Sequence, residues 1–267
     1  MTTPLLELRD LRTYFRIKGG GLLRPRRMLH AVDGVSFSIA QGEVLSLVGE
    51  SGCGKSTVGR TLTHLEKATG GQALFDGRDI LQMSAREFRP FRREIQMIFQ
   101  DPFASLNPRL TIEQTLAEPL FIHGLARGRD EAREKIAETL ELVGMDPKAM
   151  ERHPHEFSGG QRQRIGIARV MILKPRLVIA DEAVSALDVS VQAQVLNLIK
   201  KLQRESGISM LLISHDLGVV RHVSDRVAVM YRGKIVEMGD KRQIFEAPAH
   251  DYTRRLLASI PRIGSAA

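Results

Sequence analysis

Gly49-Glu50-Ser51-Gly52-Cys53-Gly54-Lys55-Ser56-Thr57 carries glycines, a lysine and then two hydroxyls in the spacing G-x-x-x-x-G-K-[ST]. Glycines let a backbone curl until successive N–H groups face one anion. Lys55 supplies a mobile positive charge to β- and γ-phosphates, and Ser56 a hydroxyl of the kind that ligates Mg²⁺. An apolar run, Val44-Leu45-Ser46-Leu47-Val48, precedes the loop, and a helical pattern follows from Thr57. A strand, a tight turn and a helix whose positive end meets the phosphates are what such a loop needs. The chain's one cysteine, Cys53, sits inside this loop. A disulfide within the chain is thereby excluded, and with no His or acid beside it Cys53 reads as a bystander thiol.

A phosphate loop also needs a metal-holding carboxylate at the end of a buried strand. Leu177-Val178-Ile179-Ala180-Asp181-Glu182 supplies one. Asp181 is placed to hold Mg²⁺ through water. Glu182, where the chain leaves the sheet, is placed to align an attacking water or accept its proton. These residues fit a P-loop ATPase or GTPase, and the N-K-x-D motif common in guanine-specific proteins is absent from the sequence.

The elements that must position these groups read as an α/β fold. Leu6–Leu11 and Val35–Ile39 alternate apolar and polar, as half-buried strands do. Strand-like runs recur at Arg176–Ala180, Met210–Ser214 and Val227–Met230, with a helix pattern over Val191–Arg204 between the first two. That alternation predicts a parallel sheet with helices packed on it. From about Asp101 to Lys174 the pattern is helical instead, with Ala126–Val143 the clearest helix, so a helical subdomain is expected inside the α/β core. Lys18–Arg27, rich in Gly and Arg, reads as a surface loop. No apolar run approaches the ~18 residues of a spanning helix, and the N-terminus does not read as a secretory signal. The net charge of +8 is spread along the chain without the aromatic-interleaved basic motif of a nucleic-acid module, so no nucleic-acid partner is expected and an anionic lipid surface suits it better.

Phe157-Ser158-Gly159-Gly160-Gln161-Arg162-Gln163 resembles the L-S-G-G-Q signature of ABC ATPases. A serine and two glycines opening a helix make a second anion-binding end. The other family positions follow in order. Gln100 resembles the Q-loop glutamine, a contact for Mg²⁺ or water. Ser185-Ala186-Leu187-Asp188 resembles the D-loop, and His215 the switch histidine that reaches the γ-phosphate. Phe15 stands where the family stacks an aromatic on adenine, with Tyr14 as fallback. The resemblance implies a P-loop NTPase (RecA-like) core over 1–100 and 175–245, an N-terminal antiparallel β subdomain, and a helical subdomain over 101–174. It implies ATP and Mg²⁺ as cofactors, and a head-to-tail dimer in which Ser158, Gly159, Gly160, Gln161 and Asp188 serve the nucleotide of the partner ATPase. One departure is Ala183, where the family usually has Pro after the catalytic glutamate. Its absence is expected to loosen Glu182 or Asp188 modestly, because proline fixes φ.

Three settings suit such an ATPase. A chromosome or DNA-repair ATPase needs a long heptad insertion, and a translation factor needs two cassettes in one chain; neither pattern is present in the sequence. A transporter subunit is left. Gln100–Arg109 and the tail 246–267, with His250-Asp251-Tyr252-Thr253, resemble the oligopeptide and dipeptide importer ATPases, whose subfamily includes nickel and glutathione importers. That resemblance implies a second, non-identical ATPase subunit, two permease subunits, a substrate-binding protein, and a place on the cytoplasmic face of a bacterial inner membrane.

Overall fold

A computed structural model describes residues 3–17, 27–101, 106–185 and 187–259, the side chains of Arg27 aside. Most of the Lys18–Arg27 stretch, part of Gln100–Arg109, Ala186 and the end of the tail lie outside the described residues. The chain divides into two compact units, Met1–Phe88 with Ser209–Ala267, and Arg89–Ile208.

In the first unit β1 (Leu6–Ile17) pairs antiparallel with β2 (Arg27–Ile39) and with β4 (Gly70–Phe75), and β4 pairs antiparallel with β5 (Arg78–Asp79). Leu6 stands opposite Ile39 on one side and Phe75 on the other. This is the expected N-terminal antiparallel sheet. β1 is longer than its apolar alternation suggests. Past Leu11 it is carried by its pairing with β2, through register shifts that break the alternating period.

β3 (Val44–Val48) lies in parallel between β8 (Ser209–Ser214) and β9 (Arg226–Tyr231), and β10 (Lys234–Asp240) pairs antiparallel with β9. Every residue of β3 and β8 is buried, as a strand covered on both faces requires. The one polar residue inside β3, Ser46, has its hydroxyl bonded to that of Ser224, so no polar group is stranded there. Among its described residues the helices of this unit are α1 (Lys55–Leu62), the short α2 (Ala85–Phe88), and three introduced below with the site.

In the second unit α3 (Phe91–Glu94) leads into β6 (Ile95–Ile98), which pairs in parallel with β7 (Leu177–Asp181). Between them come α4 (Ile112–Ile122), α5 (Arg129–Leu142) and α6 (Gly159–Met171); α7 (Val189–Ser206) follows β7. Local chemistry sets the ends. Thr111 and Gln114 form a reciprocal capping box at the start of α4. α5 begins three residues later than its apolar pattern because Gly128 is its N-cap. α7 ends at Gly207, whose φ of 63° is the left-handed stop that glycine tolerates.

Candidate functional site

Gly49–Gly54 turns the chain from β3 into α1. A Cβ on Gly49 would collide with the Met230 carbonyl oxygen, and one on Gly54 with that of Ala31. Gly54 also has a φ of 109°. Both glycines are therefore required by close backbone approach. Around this curl Lys55, only 4% exposed, folds back. Its ammonium donates to the carbonyl oxygens of Gly49 and Glu50, each at 2.8 Å. Gly52 forms the crown of the loop, with no atom within 4 Å of where its Cβ would stand. α1 has no side-chain cap and no acid in its first turn. Its leading N–H groups and Lys55 thus fit an oxyanion, as a phosphate-binding end should. Ser51, Ser56 and Thr57 sit on the same loop and helix. Cys53 is buried beside Lys55. Burial pushes its thiol pKa up against the opposing pull of Lys55, in keeping with a bystander.

β8 ends at Ser214 and delivers His215 to an exposed position. The chain then enters α8 (Leu217–Val223), capped by Asp216 through the N–H groups of Gly218 and Val219. In β1, Tyr14 stacks on His30 with ring centroids 4.0 Å apart, and its hydroxyl donates to Asp33 at 2.6 Å. Tyr14 is thus engaged at both its ring and its hydroxyl. Phe15, the other aromatic of this segment, is half-buried.

The acidic pair lies in the second unit. Asp181 is the last residue of β7 and is 4% exposed. Glu182 follows with a φ of 48°, a conformation uncommon outside glycine and one that swings the chain out of the strand direction. Hydrogen bonds hold this turn. The Glu182 carbonyl accepts the N–H of Ser185 at 3.1 Å and its hydroxyl at 3.0 Å. The Glu182 carboxylate accepts the amide of Gln100 at 3.0 Å. Gln100 and Glu182, 82 residues apart in sequence, are thereby brought together. The turn is pinned without proline at position 183. Among the described residues no cluster of three or more His, Cys, Asp or Glu could hold a metal ion by itself. Magnesium does not need one, since it is commonly held by one or two protein oxygens with phosphate and water.

The signature residues form the N-terminus of α6. Ser158 caps it, its hydroxyl accepting the Gln161 N–H at 3.3 Å while the Gln161 side chain accepts the Ser158 N–H at 3.0 Å. The two glycines do different jobs. A Cβ on Gly159 would meet Leu187 only at ordinary contact distance, whereas Gly160 is buried where a Cβ would run into Val191 of α7. Gly160 thus serves helix packing, a role that the anion-binding reading of the motif does not include. Asp188 is the N-cap of α7 but makes no side-chain capping bond, and Val189 beside it is 84% exposed.

The tail folds against the phosphate loop's own unit. α9 (Lys241–Glu246) and α10 (Asp251–Ala258) follow β10. Tyr252 of α10 is 3% exposed, and its hydroxyl accepts the Glu50 N–H at 3.1 Å. No sequence signal foretells this contact, because the two residues are 202 positions apart.

Two family models match the chain: "ABC transporter" over residues 32–185, and "Oligopeptide/dipeptide transporter, C-terminal region" over 236–267. The chain is 55% identical over 258 residues to the oligopeptide transport ATP-binding protein AppF of Bacillus subtilis, covering 96% of this chain and 78% of that protein. It is 54% identical to the glutathione import ATP-binding protein GsiA of Escherichia coli, covering 97% of this chain but only 41% of that protein. Among solved structures it resembles the dimeric ATP-binding cassette MJ0796 in a post-hydrolysis state with ADP and Pi, with a TM-score of 0.77 at 28% identity over 89% of this chain and 99% of that one. It also resembles cbiO1 of Clostridium perfringens, part of the transporter complex cbiONQ, with a TM-score of 0.77 at 26% identity over 97% of each chain.

Proposed function

The chain belongs to the ABC transporter family, and on that premise we propose that it is the ATP-hydrolysing subunit of an importer for short peptides, glutathione included. The observation that carries this reading is the loop Gly49–Thr57, curled around Lys55 with an open crown and an uncapped helix behind it. Gly49–Thr57 would hold the phosphates of ATP, and Phe15 would face its adenine. Ser56 would offer its hydroxyl to Mg²⁺, and Asp181 its carboxylate through water. The metal, when bound, supplies charge neutralisation on the phosphate oxygens. Glu182 aligns the attacking water and takes its proton as the water oxygen bonds to the γ-phosphorus and the bond to the β-phosphate oxygen breaks, with ADP as the leaving group. Gln100, bonded to Glu182, orients that carboxylate, and His215 meets the γ-phosphate.

Ser158, Gly159, Gly160, Gln161 and Asp188 would serve the nucleotide of a second ATPase subunit in a head-to-tail pair. The Asp188 carboxylate, which makes no capping bond, and the bare Val189 support that reading. The match of the tail to the oligopeptide/dipeptide family, together with AppF and GsiA, supports the cargo class. No helix among the described residues is long and apolar enough to cross a membrane. Two separate permease subunits would form the channel, a substrate-binding protein would deliver cargo, and this subunit would sit on the cytoplasmic face of the inner membrane. Reconstitution in vesicles with a permease pair and a partner ATPase tests the proposal. ATP-dependent uptake of a labelled short peptide that stops with Lys55→Ala supports it; uptake indifferent to Lys55→Ala refutes it.

A further inference from the structure

We propose that Tyr252, in the C-terminal helix α10, is a positioning residue for the phosphate loop, and that the tail of this chain is therefore part of its nucleotide site. The proposal rests on the ATP-binding reading above and adds a residue to it. The peptide group joining Gly49 to Glu50 is held at both ends. Its carbonyl accepts the Lys55 ammonium at 2.8 Å, and its N–H donates to the Tyr252 hydroxyl at 3.1 Å. In a trans peptide the two groups point in opposite directions within its plane, so Lys55 lies off one edge of the peptide and Tyr252 off the other. Gly49 is the residue most able to let that plane rotate, because a glycine meets little steric resistance to changes in φ and ψ. Tyr252 removes this freedom and keeps the carbonyl aimed at Lys55. It acts through Lys55 and the loop and has no part in the chemistry itself.

The surroundings show why tyrosine suits this place. The ring is buried with Val48, the last residue before the loop, and with Leu217, two residues past His215. It packs on Tyr231 with centroids 4.3 Å apart. The head of α10 is anchored in turn. The Glu237 carboxylate accepts the N–H groups of Ala249 at 2.7 Å and His250 at 3.0 Å, and the His250 ring nitrogen accepts the N–H of Tyr252 at 3.1 Å. A chain of hydrogen bonds and packing thus runs from β10 through the tail to the Gly49–Glu50 peptide. It gives the tyrosine of the tail motif a physical task.

Tyr252→Phe deletes one hydroxyl and leaves the ring packing in place. One hydrogen bond of ordinary net strength corresponds to a roughly three- to tenfold change in an equilibrium constant. ATP affinity of the purified full chain, measured by calorimetric titration, is expected to weaken by that factor. In assays of phosphate release, KM should rise while kcat stays within about twofold. Loss of folded protein would do the opposite, lowering kcat at constant KM. Tyr231→Phe, which alters the same aromatic pair without touching Glu50, should leave ATP affinity at the wild-type value. Unchanged affinity in Tyr252→Phe, or an equal loss in Tyr231→Phe, overturns the inference while the ATP-binding reading stands. A wild-type chain that binds no ATP overturns both.

Discussion

The two signature glycines can be separated by experiment, and Gly160 is the sharper case. An ideal Cβ on Gly160 would stand 2.3 Å from the Cγ1 of Val191. Favourable carbon–carbon contact begins near 3.5 Å, so more than an ångström must be found. Val191 is β-branched and sits in the first turn of α7, where its χ1 has essentially one comfortable rotamer. The helices must therefore separate or Val191 must leave its well. Overpacking of this kind costs about 1–3 kcal/mol. Replacing glycine by alanine in a helix returns up to about 1 kcal/mol. Gly160→Ala is thus expected to destabilise the protein by about 1 kcal/mol, a fall in Tm of about 2–4 °C. Val191→Ala removes the obstacle. In that background Gly160→Ala should be neutral or stabilising, giving a coupling energy of about 1–2 kcal/mol between the two positions. Urea unfolding of the four proteins in the cycle measures it. Effects that add within about 0.5 kcal/mol would refute a packing role for Gly160 and return it to the anion-binding reading.

Ala183→Pro, which restores the residue usual in the family, is expected to change the rate of ATP hydrolysis by less than about threefold, since Gln100 and Ser185 already pin Glu182; a steady-state phosphate-release assay checks it. Glu237 gives a pH prediction. Burial pushes its carboxyl up, but the hydrogen bonds it accepts at the head of α10 outweigh this and leave its pKa below the reference value of 4.5. Its contribution to stability is therefore complete above about pH 4.5 and is lost as pH falls through the lower folded-state value. Thermal unfolding followed from pH 7 to pH 3 should show a shallower acid decline for Glu237→Gln than for wild type.

Much of the site is legible in the amino-acid sequence, because its chemistry is local. Lys55, its glycines and the hydroxyls that follow occupy one short loop, and their order alone specifies a curl that faces an anion. Asp181 is legible for the same reason: an acid closing an apolar run stands at the end of a buried strand. The strands of the core and the helical segment follow from the period of their apolar residues. What the sequence hides is what the fold joins across it. The Gln100–Glu182 bond needs β6 beside β7, which no pattern within either strand announces. The positive φ of Glu182 is set by the turn that Ser185 closes, and glutamate has no intrinsic preference for it. Gly160 reads as an anion contact because the residue it accommodates, Val191, lies on another helix. β1 runs past its alternating stretch because pairing with β2 substitutes for apolar periodicity.

We propose that Glu182 is the group that activates water when this chain hydrolyses ATP. Mg²⁺-dependent phosphate release by wild type and Glu182→Gln, with ATP affinity measured on both, tests it most directly. Glu182→Gln is expected to bind ATP as wild type does and to lose activity by about 10²-fold or more, the scale of a positioned general base. Hydrolysis by Glu182→Gln at the wild-type rate would contradict it.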